Sequence, residues 1–497
     1  MRRVSRMLVL AGLVLGSIGA RGASTLVEGA LVVDGTGAPG VVQDLRMRQG
    51  TIVALGKLVP EAGERVVDGT GLVLAPGFVD THSHHDADAD PLRVAATSQG
   101  ITTIVVGQDG GSPFPLADFL EGLERAPVAV NVAAYAGHGT LRDRVLGEDW
   151  ARPATAAELR AMETLLAEEL AAGALGLSTG LEYDPGIYAT TEEVIALARV
   201  ARRWGGRYIS HVRSEDRNLE VAVDELIEIG RAAEIPVQLT HMKLARRGLW
   251  GQADRFLARL DAARAEGVDV TVDVYPYEYW SSSMTVLFPE RDFDNPASAR
   301  YALTELVAPD EMLLGRFDPE PAYAGRSLAE VADARDEDPV TTYLALLAML
   351  EASGSRGGEY VVARSMTEQD IRAILAWPHA NVCSDGSGEG AHPRGHGAFP
   401  RVLARYVREE GVLDLETAIH KMTLLAARHV GLADRGVIAL GAPADLVLLD
   451  PDTVADRATF EAPHRLAVGI QEVWVNGDSV YRDGAPTGAR PGRPLRR

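Results

Sequence analysis

Eight short apolar segments of this chain each end beside a side chain that can bind a metal, move a proton or hold a substrate. The segments run from PGFVDTH to NVCSD and alternate with stretches of helical pattern. The side chains at their ends are His82 with His84, Asp109, His138, Glu182, His211, His241, Tyr275 and Asp385. Strands that alternate with helices predict an α/β fold with a parallel sheet. Eight such units predict a TIM (β/α)8 barrel, whose chemistry lies at the carboxyl ends of the strands.

Length, charge and cysteine content narrow the class of protein. The 497 residues suffice for one large domain and a smaller one. The formal charge of −21 argues against nucleic acid and anionic membranes as partners, because both need a basic surface. A small molecule is the expected partner, and the pattern specifies no oligomeric state. The single cysteine, Cys383, cannot form an internal disulfide and is expected in the core.

The N-terminus has the pattern of a secretory signal. Residues 1–23 contain a basic start, then an apolar stretch from 7 to about 20, then small residues that suit cleavage. The stretch is short for a membrane span, although an uncleaved anchor is the alternative. We therefore expect a periplasmic or secreted protein that has no membrane association after cleavage.

The two ends of the remaining chain have the same sequence pattern, in which short runs of β-branched residues are separated by Gly and Asp. Residues 24–75 and 436–497 are predicted to form one small β-sandwich beside a barrel that spans residues 76–435. The gap between the seventh and eighth barrel strands is longer than one crossover. Within it, residues 285–335 contain acidic and proline-rich pieces and are predicted to be an inserted, lid-like segment.

One helix of the barrel has a recognisable start. The segment ATTEEVIALARVARRW has apolar residues at helical spacing, and Thr190 precedes Glu193 by three residues. This spacing predicts a capping box, in which each side chain bonds the backbone of the other residue.

The histidines predict a metal site. His82 and His84 are two residues apart at a strand end, so both can face the barrel mouth. His211 and His241 end two other strands. Any one of them can be a satisfied core histidine, and Asp385 before a glycine can be a turn residue. Together they predict a site for Zn²⁺, with one or two ions per chain.

Longer motifs carry a family resemblance. The chain contains, in order, PGFVDTHSHHD, GITTIVVG, AGHGTLR, GLSTGLEYDPGIYATTEEV, YISHVRSE, LTHMK, DVYPY, VCSDGSG and HPRGHGAFPRVLARYVREEGVL. It resembles the D-aminoacylase (N-acyl-D-amino-acid deacylase) branch of the amidohydrolase superfamily from about residue 25 to the end. The resemblance implies a zinc enzyme with a barrel, a flanking β-sandwich and an insertion before the last strand. It implies these zinc ligands: His82, His84, His211, His241 and Asp385, the last also being the catalytic acid and base.

The chain departs from this family at one position. Similar proteins often have a metal-binding cysteine in the loop after the second strand, where this chain has Asp109 in GQDGG. The fourth strand lacks the lysine that other amidohydrolases carboxylate, and it ends in Glu182. We expect Glu182 to bridge two metals, because a carboxylate offers two oxygens. Asp109 as the bridge, a mononuclear site, and a salt bridge from Glu182 to Arg213 or Lys243 are the alternatives.

The expected activity is hydrolysis of the amide bond of N-acyl amino acids, with D configuration favoured. Asp385 is expected to carry a proton from water to the leaving nitrogen. The candidates for substrate binding are Lys243, Arg394, Tyr275, Tyr183 and His138. Lys243 and Arg394 suit a substrate carboxylate, whereas the tyrosines and His138 can equally be wall or core residues. A dipeptidase and a cyclic-amide hydrolase of hydantoinase or dihydroorotase type are the alternatives.

Overall fold

The structure, a computed structural model, describes residues 24–85, 88–354 and 358–497. The predicted signal peptide lies outside these residues. Of the helices in the described part, none has the length and apolar character that crossing a bilayer requires.

The strands of the described residues are, in chain order, β1 Ser24–Val32, β2 Val41–Arg48, β3 Thr51–Gly56, β4 Arg65–Asp68, β5 Val73–Pro76, β6 Phe78–Asp80, β7 Ile101–Val106, β8 Asn131–Ala134, β9 Ala136–Gly137, β10 Gly176–Gly180, β11 Arg207–His211, β12 Val237–Leu239, β13 Val270–Val274, β14 Tyr279–Ser282, β15 Met312–Phe317, β16 Glu359–Arg364, β17 Ala380–Val382, β18 Leu446–Leu449, β19 Ile470–Val475, β20 Asp478–Arg482 and β21 Ala485–Pro486. The α-helices are α1 Val94–Thr97, α2 Leu116–Arg125, α3 His138–Leu146, α4 Ala156–Ala172, α5 Thr191–Arg203, α6 Leu219–Ala233, α7 Ala253–Ala265, α8 Pro296–Tyr301, α9 Leu328–Arg335, α10 Pro339–Ser353, α11 Glu368–Ala376, α12 Arg394–Arg401, α13 Leu415–Met422 and α14 Leu424–Val430.

A parallel barrel forms the centre of the molecule. Strands β6, β7 and β8 pair in parallel, and β9, β10, β11, β12, β13 and β17 continue in the same direction. Strands β8 and β9 are two parts of the third barrel strand, separated by Tyr135. A parallel bridge between Ser83 and Gly386 joins the first strand to the last. These strands are buried on both faces, which explains their continuous apolar runs. The (β/α)8 fold predicted from the sequence is confirmed.

The two ends of the chain form one sheet beside the barrel. Strands β1–β5 and β18–β21 belong to a single nine-stranded sheet, and the antiparallel pair β5–β18 joins the N-terminal strands to the C-terminal ones. A buried cluster that includes Leu45, Leu74, Leu446 and Trp474 lies on this sheet. The two β-rich ends of the chain thus form one sheet with its own buried cluster, which is the second, smaller part predicted from the sequence.

The insertion before the last barrel strand is larger than the predicted 285–335. It forms an antiparallel sheet of order β14–β16–β15, so it extends from Tyr279 to Arg364 and includes α8, α9 and α10. It has a buried cluster of its own, which includes Phe288, Phe317 and Tyr343. This inserted subdomain therefore packs as a unit with its own core.

Helix α5 begins at Thr191, and only half of the predicted capping box is present. The Thr190 side chain accepts a hydrogen bond from the Glu193 backbone N–H, at 3.2 Å. The Glu193 side chain does not return the bond, because its oxygens lie 2.6 and 2.8 Å from Arg142 Nη1. The expected box is therefore corrected to a single threonine cap.

A buried polar junction fastens the terminal sheet to the barrel. Asp445, just before β18, accepts hydrogen bonds from Asn131 Nδ2 at 3.0 Å and from the Asn476 backbone N–H at 2.6 Å. Arg435 Nε lies 3.0 Å from the same carboxylate. Asn476 Nδ2 in turn donates to Asn131 Oδ1 at 2.8 Å. The Asp445 carboxylate thus connects barrel strand β8 to Arg435, which precedes β18, and to Asn476, which follows β19.

We predict that Asp445→Ala lowers the free energy of unfolding by about 3–5 kcal/mol, because it leaves the Asn131 amide and the Asn476 backbone N–H buried without an acceptor and removes one of the two carboxylates that pair with Arg435, the other being Asp434. Denaturant unfolding followed by tryptophan fluorescence measures the change. Asp452→Ala is the matched control, since Asp452 is exposed and has no left-handed backbone conformation, and it should cost under about 0.5 kcal/mol. Equal effects of the two substitutions would contradict a structural role for the junction.

Candidate functional site

The first and last barrel strands bring three predicted site residues together. The backbone N–H of Asp385 donates to the His82 carbonyl at 2.8 Å, and the N–H of His84 donates to the Gly386 carbonyl at 3.0 Å. As a result, Asp385 Oδ1 lies 3.5 Å from His82 Nε2 and 3.3 Å from His84 Nε2. Residues about three hundred positions apart thus share one end of the barrel because its first and last strands meet.

Asp109 lies between this group and the other two histidines. Its Oδ2 is 3.3 Å from His82 Nε2 and 3.5 Å from His84 Nε2. Its Oδ1 is 3.2 Å from His241 Nε2, which is 3.1 Å from His211 Nδ1. One carboxylate therefore presents one oxygen to each pair of histidines.

The donor atoms fit zinc. His82, His84, Asp109 and Asp385 each offer an atom within 4.8 Å of the others, and Asp109, His211 and His241 form a second such group. Imidazole nitrogen and carboxylate oxygen are common zinc ligands in catalytic sites. Since Asp109 belongs to both groups, the arrangement suits two ions that share this carboxylate, or one ion in either group.

Two glutamates lie behind the histidines rather than between them. Glu182 Oε2 is 2.9 Å from Nε2 of His211, the nitrogen that faces away from Asp109. Glu215 Oε1 is 3.0 Å from Nδ1 of His241, again the outer nitrogen. Carboxylates in such positions fix the tautomer and orientation of metal-binding histidines. Glu182, His211 and Glu215 also form a group that could hold a metal ion, so Glu182 as a metal ligand stays a prediction. The carboxylate that lies between the two pairs of histidines, however, is Asp109.

Glu215 was not among the residues predicted from the sequence. Both of its oxygens accept hydrogen bonds from Lys243 Nζ, at 2.7 and 2.9 Å. Its position four residues after His211, in SHVRSE, could have identified it from the sequence as a neighbour of that histidine. The alternative of a salt bridge between Glu182 and Arg213 also fails, since Arg213 pairs with Glu225 at 2.7 Å.

Three of these residues have left-handed backbone conformations. The φ angles are 53° at Asp109, 36° at His241 and 48° at Asp385. Such angles are uncommon outside glycine and concentrate at functional sites. Asp273 accepts a hydrogen bond from the His241 backbone N–H, and Asp80 accepts one from the N–H of Ser384, beside Asp385, at 2.8 Å. These two buried carboxylates, also missed in the sequence, hold the unusual backbone in place.

Charge and burial set the protonation of the site. Burial would raise the pKa of Asp385, but the nearby Arg394 guanidinium and the histidines hold that pKa well below its usual range. Arg394 Nη1 lies 2.7 Å from Asp385 Oδ2. Burial lowers the pKa of His211 to about 4, so its ring is neutral at neutral pH. Burial also disfavours charge on His84 and His241, but the surrounding carboxylates outweigh it and raise the pKa of each to about 10, so these two rings must lose a proton when they bind a metal.

The cavity over this cluster has a volume of about 240 Å³. Of the predicted substrate-binding residues, Lys243, Arg394 and Tyr183 line it. Tyr275 lies against them, with its ring centre 4.7 Å from the Arg394 guanidinium and 5.8 Å from Lys243 Nζ. The structure therefore brings Lys243, Arg394 and Tyr275 together beside the candidate metal site, and the Tyr183 ring lies against His211, with the two ring centres 4.4 Å apart.

His138 is placed elsewhere. It is fully buried at the start of α3, and its Nε2 lies 2.9 Å from Glu193 Oε1, which also pairs with Arg142. It does not belong to the residues that line the cavity. The expectation of a substrate contact is corrected, because His138 joins a buried ion pair that ties α3 to α5.

Comparison with known proteins agrees with this geometry. The amidohydrolase family model matches residues 65–282 and 354–481, which leaves out most of the inserted subdomain. The chain is 41% identical to an N-acyl-D-glutamate deacylase and 38% identical to a D-aminoacylase, both from Alcaligenes xylosoxydans xylosoxydans. These alignments cover 95% of this chain in each case, and 96% and 97% of the respective relatives.

A solved structure extends the likeness to three dimensions. The N-acyl-D-glutamate deacylase of Bordetella bronchiseptica, in complex with zinc and a phosphonate that mimics the tetrahedral intermediate, matches with a TM-score of 0.86. The two proteins are 36% identical, and the match covers 96% of this chain and 100% of the other. The chain belongs to the amidohydrolase family, in its D-aminoacylase branch.

Proposed function

We propose that this chain is a zinc-dependent N-acyl-D-amino-acid deacylase, which hydrolyses the amide between an acyl group and a D-amino acid. The observation that carries the proposal is Asp109, whose two oxygens face two pairs of histidines beside Asp385. The names of the similar proteins support the D configuration of the substrate. Periplasmic or secreted localisation stays a prediction, which rests on the sequence of residues 1–23.

Asp109, His211 and His241 would hold one zinc ion, and His82 and His84 would hold a second with the other oxygen of Asp109. Asp385 lies within reach of this second group. When bound, zinc supplies Lewis acidity, which lowers the pKa of water and polarises an amide carbonyl. Glu182 and Glu215 keep the rings of His211 and His241 turned toward Asp109.

Asp385 is the residue that moves the proton. Its low pKa means that it begins the reaction as a carboxylate, the form that can accept a proton from the attacking water. Arg394 and the backbone bond to His82 fix its position. Asp385 then gives the proton to the amide nitrogen, because a neutral amine leaves far more readily than its anion.

The carboxylate of the substrate would bind between Lys243 and Arg394. Both side chains are buried beside Tyr275 on one wall of the cavity. The Tyr275 hydroxyl is buried and has no hydrogen-bond partner within the described part of the chain, so it can donate to the substrate. A dipeptide also presents a carboxylate and an acylated nitrogen, so a dipeptidase is the second candidate. A simple hydantoin has no free carboxylate for this wall, which disfavours a hydantoinase, whereas dihydroorotate does have one; the dihydroorotase among the similar proteins matches only 16% of this chain.

Removal of metal should abolish the activity. We expect a chelator to eliminate hydrolysis of N-acetyl-D-amino acids, because no side chain of the cluster replaces a Lewis acid. Added zinc should restore the rate. Initial rates, together with elemental analysis of the same samples, test this. Full activity in verified metal-free protein would exclude a metal-dependent mechanism.

The roles of the two candidate bridging carboxylates can be separated by counting metal. We predict that Asp109→Asn lowers bound zinc from about two ions per chain toward one or fewer, because the amide has only one oxygen for two sites. Glu182→Gln should keep most of the zinc, since its amide oxygen can still accept the His211 N–H. Elemental analysis of both variants, after dialysis against the same concentration of free zinc, measures the number of ions that each one binds. The opposite ranking would restore Glu182 as the bridge.

Asp385→Asn should keep the fold and most of the zinc but lose at least about a thousandfold in kcat, because an amide cannot carry the proton. Single-turnover rates on an N-acetyl-D-amino acid, with zinc content and thermal unfolding on the same protein, test this. Asp483→Asn, at an exposed position, is the control. A variant of Asp385 that keeps a tenth of the rate would assign the proton transfer to another group.

A further inference from the structure

A buried histidine outside the metal cluster contacts the backbone of Arg394. His392 lies two residues before Arg394, in HPRGHG. The Arg394 backbone N–H donates to His392 Nδ1 at 3.0 Å. The other ring nitrogen, Nε2, lies 2.9 Å from the Tyr279 carbonyl. One imidazole thus joins the start of α12 to β14, the first strand of the inserted subdomain.

These two bonds select one chemical form of the ring. A carbonyl oxygen only accepts, so Nε2 must carry a hydrogen, and a backbone N–H only donates, so Nδ1 must keep its lone pair. Burial, together with the Arg394 charge, holds the pKa of His392 well below its usual range, so the ring is neutral. In this form both nitrogens have partners, and the ring cannot turn over without breaking both bonds.

Aromatic contacts hold the same ring from other sides. Its centre lies 5.2 Å from that of Tyr277 and 5.5 Å from that of Phe460, at interplanar angles of 88° and 79°. Such edge-to-face pairs are favourable. Tyr275, whose ring lies against the Arg394 guanidinium, is a third neighbour at 6.2 Å. The orientation of His392 is thus set by the residues after β13, by the segment between β18 and β19, and by β14.

The open edge of β14 receives both His392 and Arg394. Among the described strands, β14 pairs on one side only, because the order of its sheet is β14–β16–β15. Carbonyls two residues apart along a strand face the same side. Those of Tyr279 and Ser281 accept hydrogen bonds from His392 Nε2 and from Arg394 Nη2, the second at 3.4 Å. The strand edge therefore restrains the ring and the end of the arginine side chain together.

These restraints fix a guanidinium that has two tasks. Arg394 Nη1 lies 2.7 Å from Asp385 Oδ2, and in the proposed function the same guanidinium binds the substrate carboxylate. A free arginine side chain samples many rotamers, whereas two-pronged binding of a carboxylate requires one fixed plane. The bond to His392 holds the backbone from which this side chain starts, and the Ser281 carbonyl holds its far end.

We propose that His392 is a positioning residue: as a neutral imidazole with its hydrogen on Nε2, it holds Arg394 where the guanidinium meets both Asp385 and the α-carboxylate of the substrate. The inference rests on the proposed function, because that function gives Arg394 its substrate. His392 is not among the residues that line the cavity, so it acts through Arg394 and not on the reacting atoms.

Selectivity for a free carboxylate measures the placement of Arg394 in the zinc-loaded protein. We define it as kcat/KM for N-acetyl-D-methionine divided by kcat/KM for N-acetyl-D-methioninamide, which has nearly the same size but no charge. His392→Leu should lower this ratio at least about tenfold, chiefly by raising KM for the acid, because the displaced guanidinium loses its two-pronged contact. His392→Asn should stay within about threefold of the unaltered ratio, since its amide oxygen can replace Nδ1 as the acceptor.

A double substitution shows whether His392 acts through Arg394. Arg394→Lys alone should lower the ratio, and His392→Leu added to it should lower the ratio no further. Independent, additive losses would contradict the proposal. His420→Leu is the matched control, because His420 Nδ1 also bonds a backbone carbonyl, that of Gly35 at 2.7 Å, but His420 is not part of the cavity lining. This control should leave the ratio unchanged.

The possible results separate the inference from the proposed function. An unchanged ratio in folded His392→Leu, as judged by circular dichroism and zinc content, would overturn the inference and leave the deacylase assignment standing. If that variant does not fold, His392→Gln takes its place, since its amide can still donate to the Tyr279 carbonyl but offers no acceptor at the Nδ1 position. Equal rates on the two substrates in the unaltered enzyme would also overturn the inference. Hydrolysis of neither substrate would overturn the proposed function, and the inference with it.

Discussion

The closure of the barrel between its first and last strands is the interaction on which the site depends. Asp80 at the end of β6 accepts hydrogen bonds from the backbone N–H and the hydroxyl of Ser384, at 2.8 and 2.5 Å. One residue further along, the Asp385 N–H bonds the His82 carbonyl. These bonds place the proton-carrying carboxylate beside two histidines that are remote in the sequence. Without them, the donor atoms at the two strand ends would not converge.

The sequence was sufficient to predict the barrel and most of the residues at its mouth. In a parallel barrel, the carboxyl end of every strand reaches the same face, so finding a strand also locates its last residue. His82, His211, His241 and Asp385 were therefore found as strand-end residues, without any knowledge of contacts. The pairing of β5 with β18 was also foreseeable in outline, because both ends of the chain share the same β-rich pattern. The same logic failed for His138, since this residue begins α3 and its side chain bonds the buried Glu193 instead of lining the cavity.

The sequence did not show whether Glu182 or Asp109 is the carboxylate that two metal ions would share. The answer depends on which nitrogen of each histidine faces inward and on the left-handed backbone that turns Asp109 toward the histidines. Neither property has a sequence signature, because aspartate in a glycine-rich loop is equally typical of a simple turn. The full extent of the inserted subdomain could not be predicted from the sequence for a related reason. Its first and last strands along the chain, β14 and β16, are neighbours in the sheet although several helices and β15 lie between them in the sequence, and such non-local pairing leaves no periodic pattern.

The residues that line the cavity come from two parts of the chain, the barrel and the inserted subdomain. The barrel fixes the metal-binding and proton-carrying groups through short backbone bonds between neighbouring strands, which tolerate little change. The inserted subdomain has its own core and meets the barrel mouth through polar contacts such as Arg291 with Asp184 at 3.0 Å and Ser282 with Tyr183 at 3.3 Å. Side chains of the subdomain line the same cavity as the histidines but pack in a separate buried cluster, so a substitution on the subdomain can change the cavity while the strand ends keep their positions.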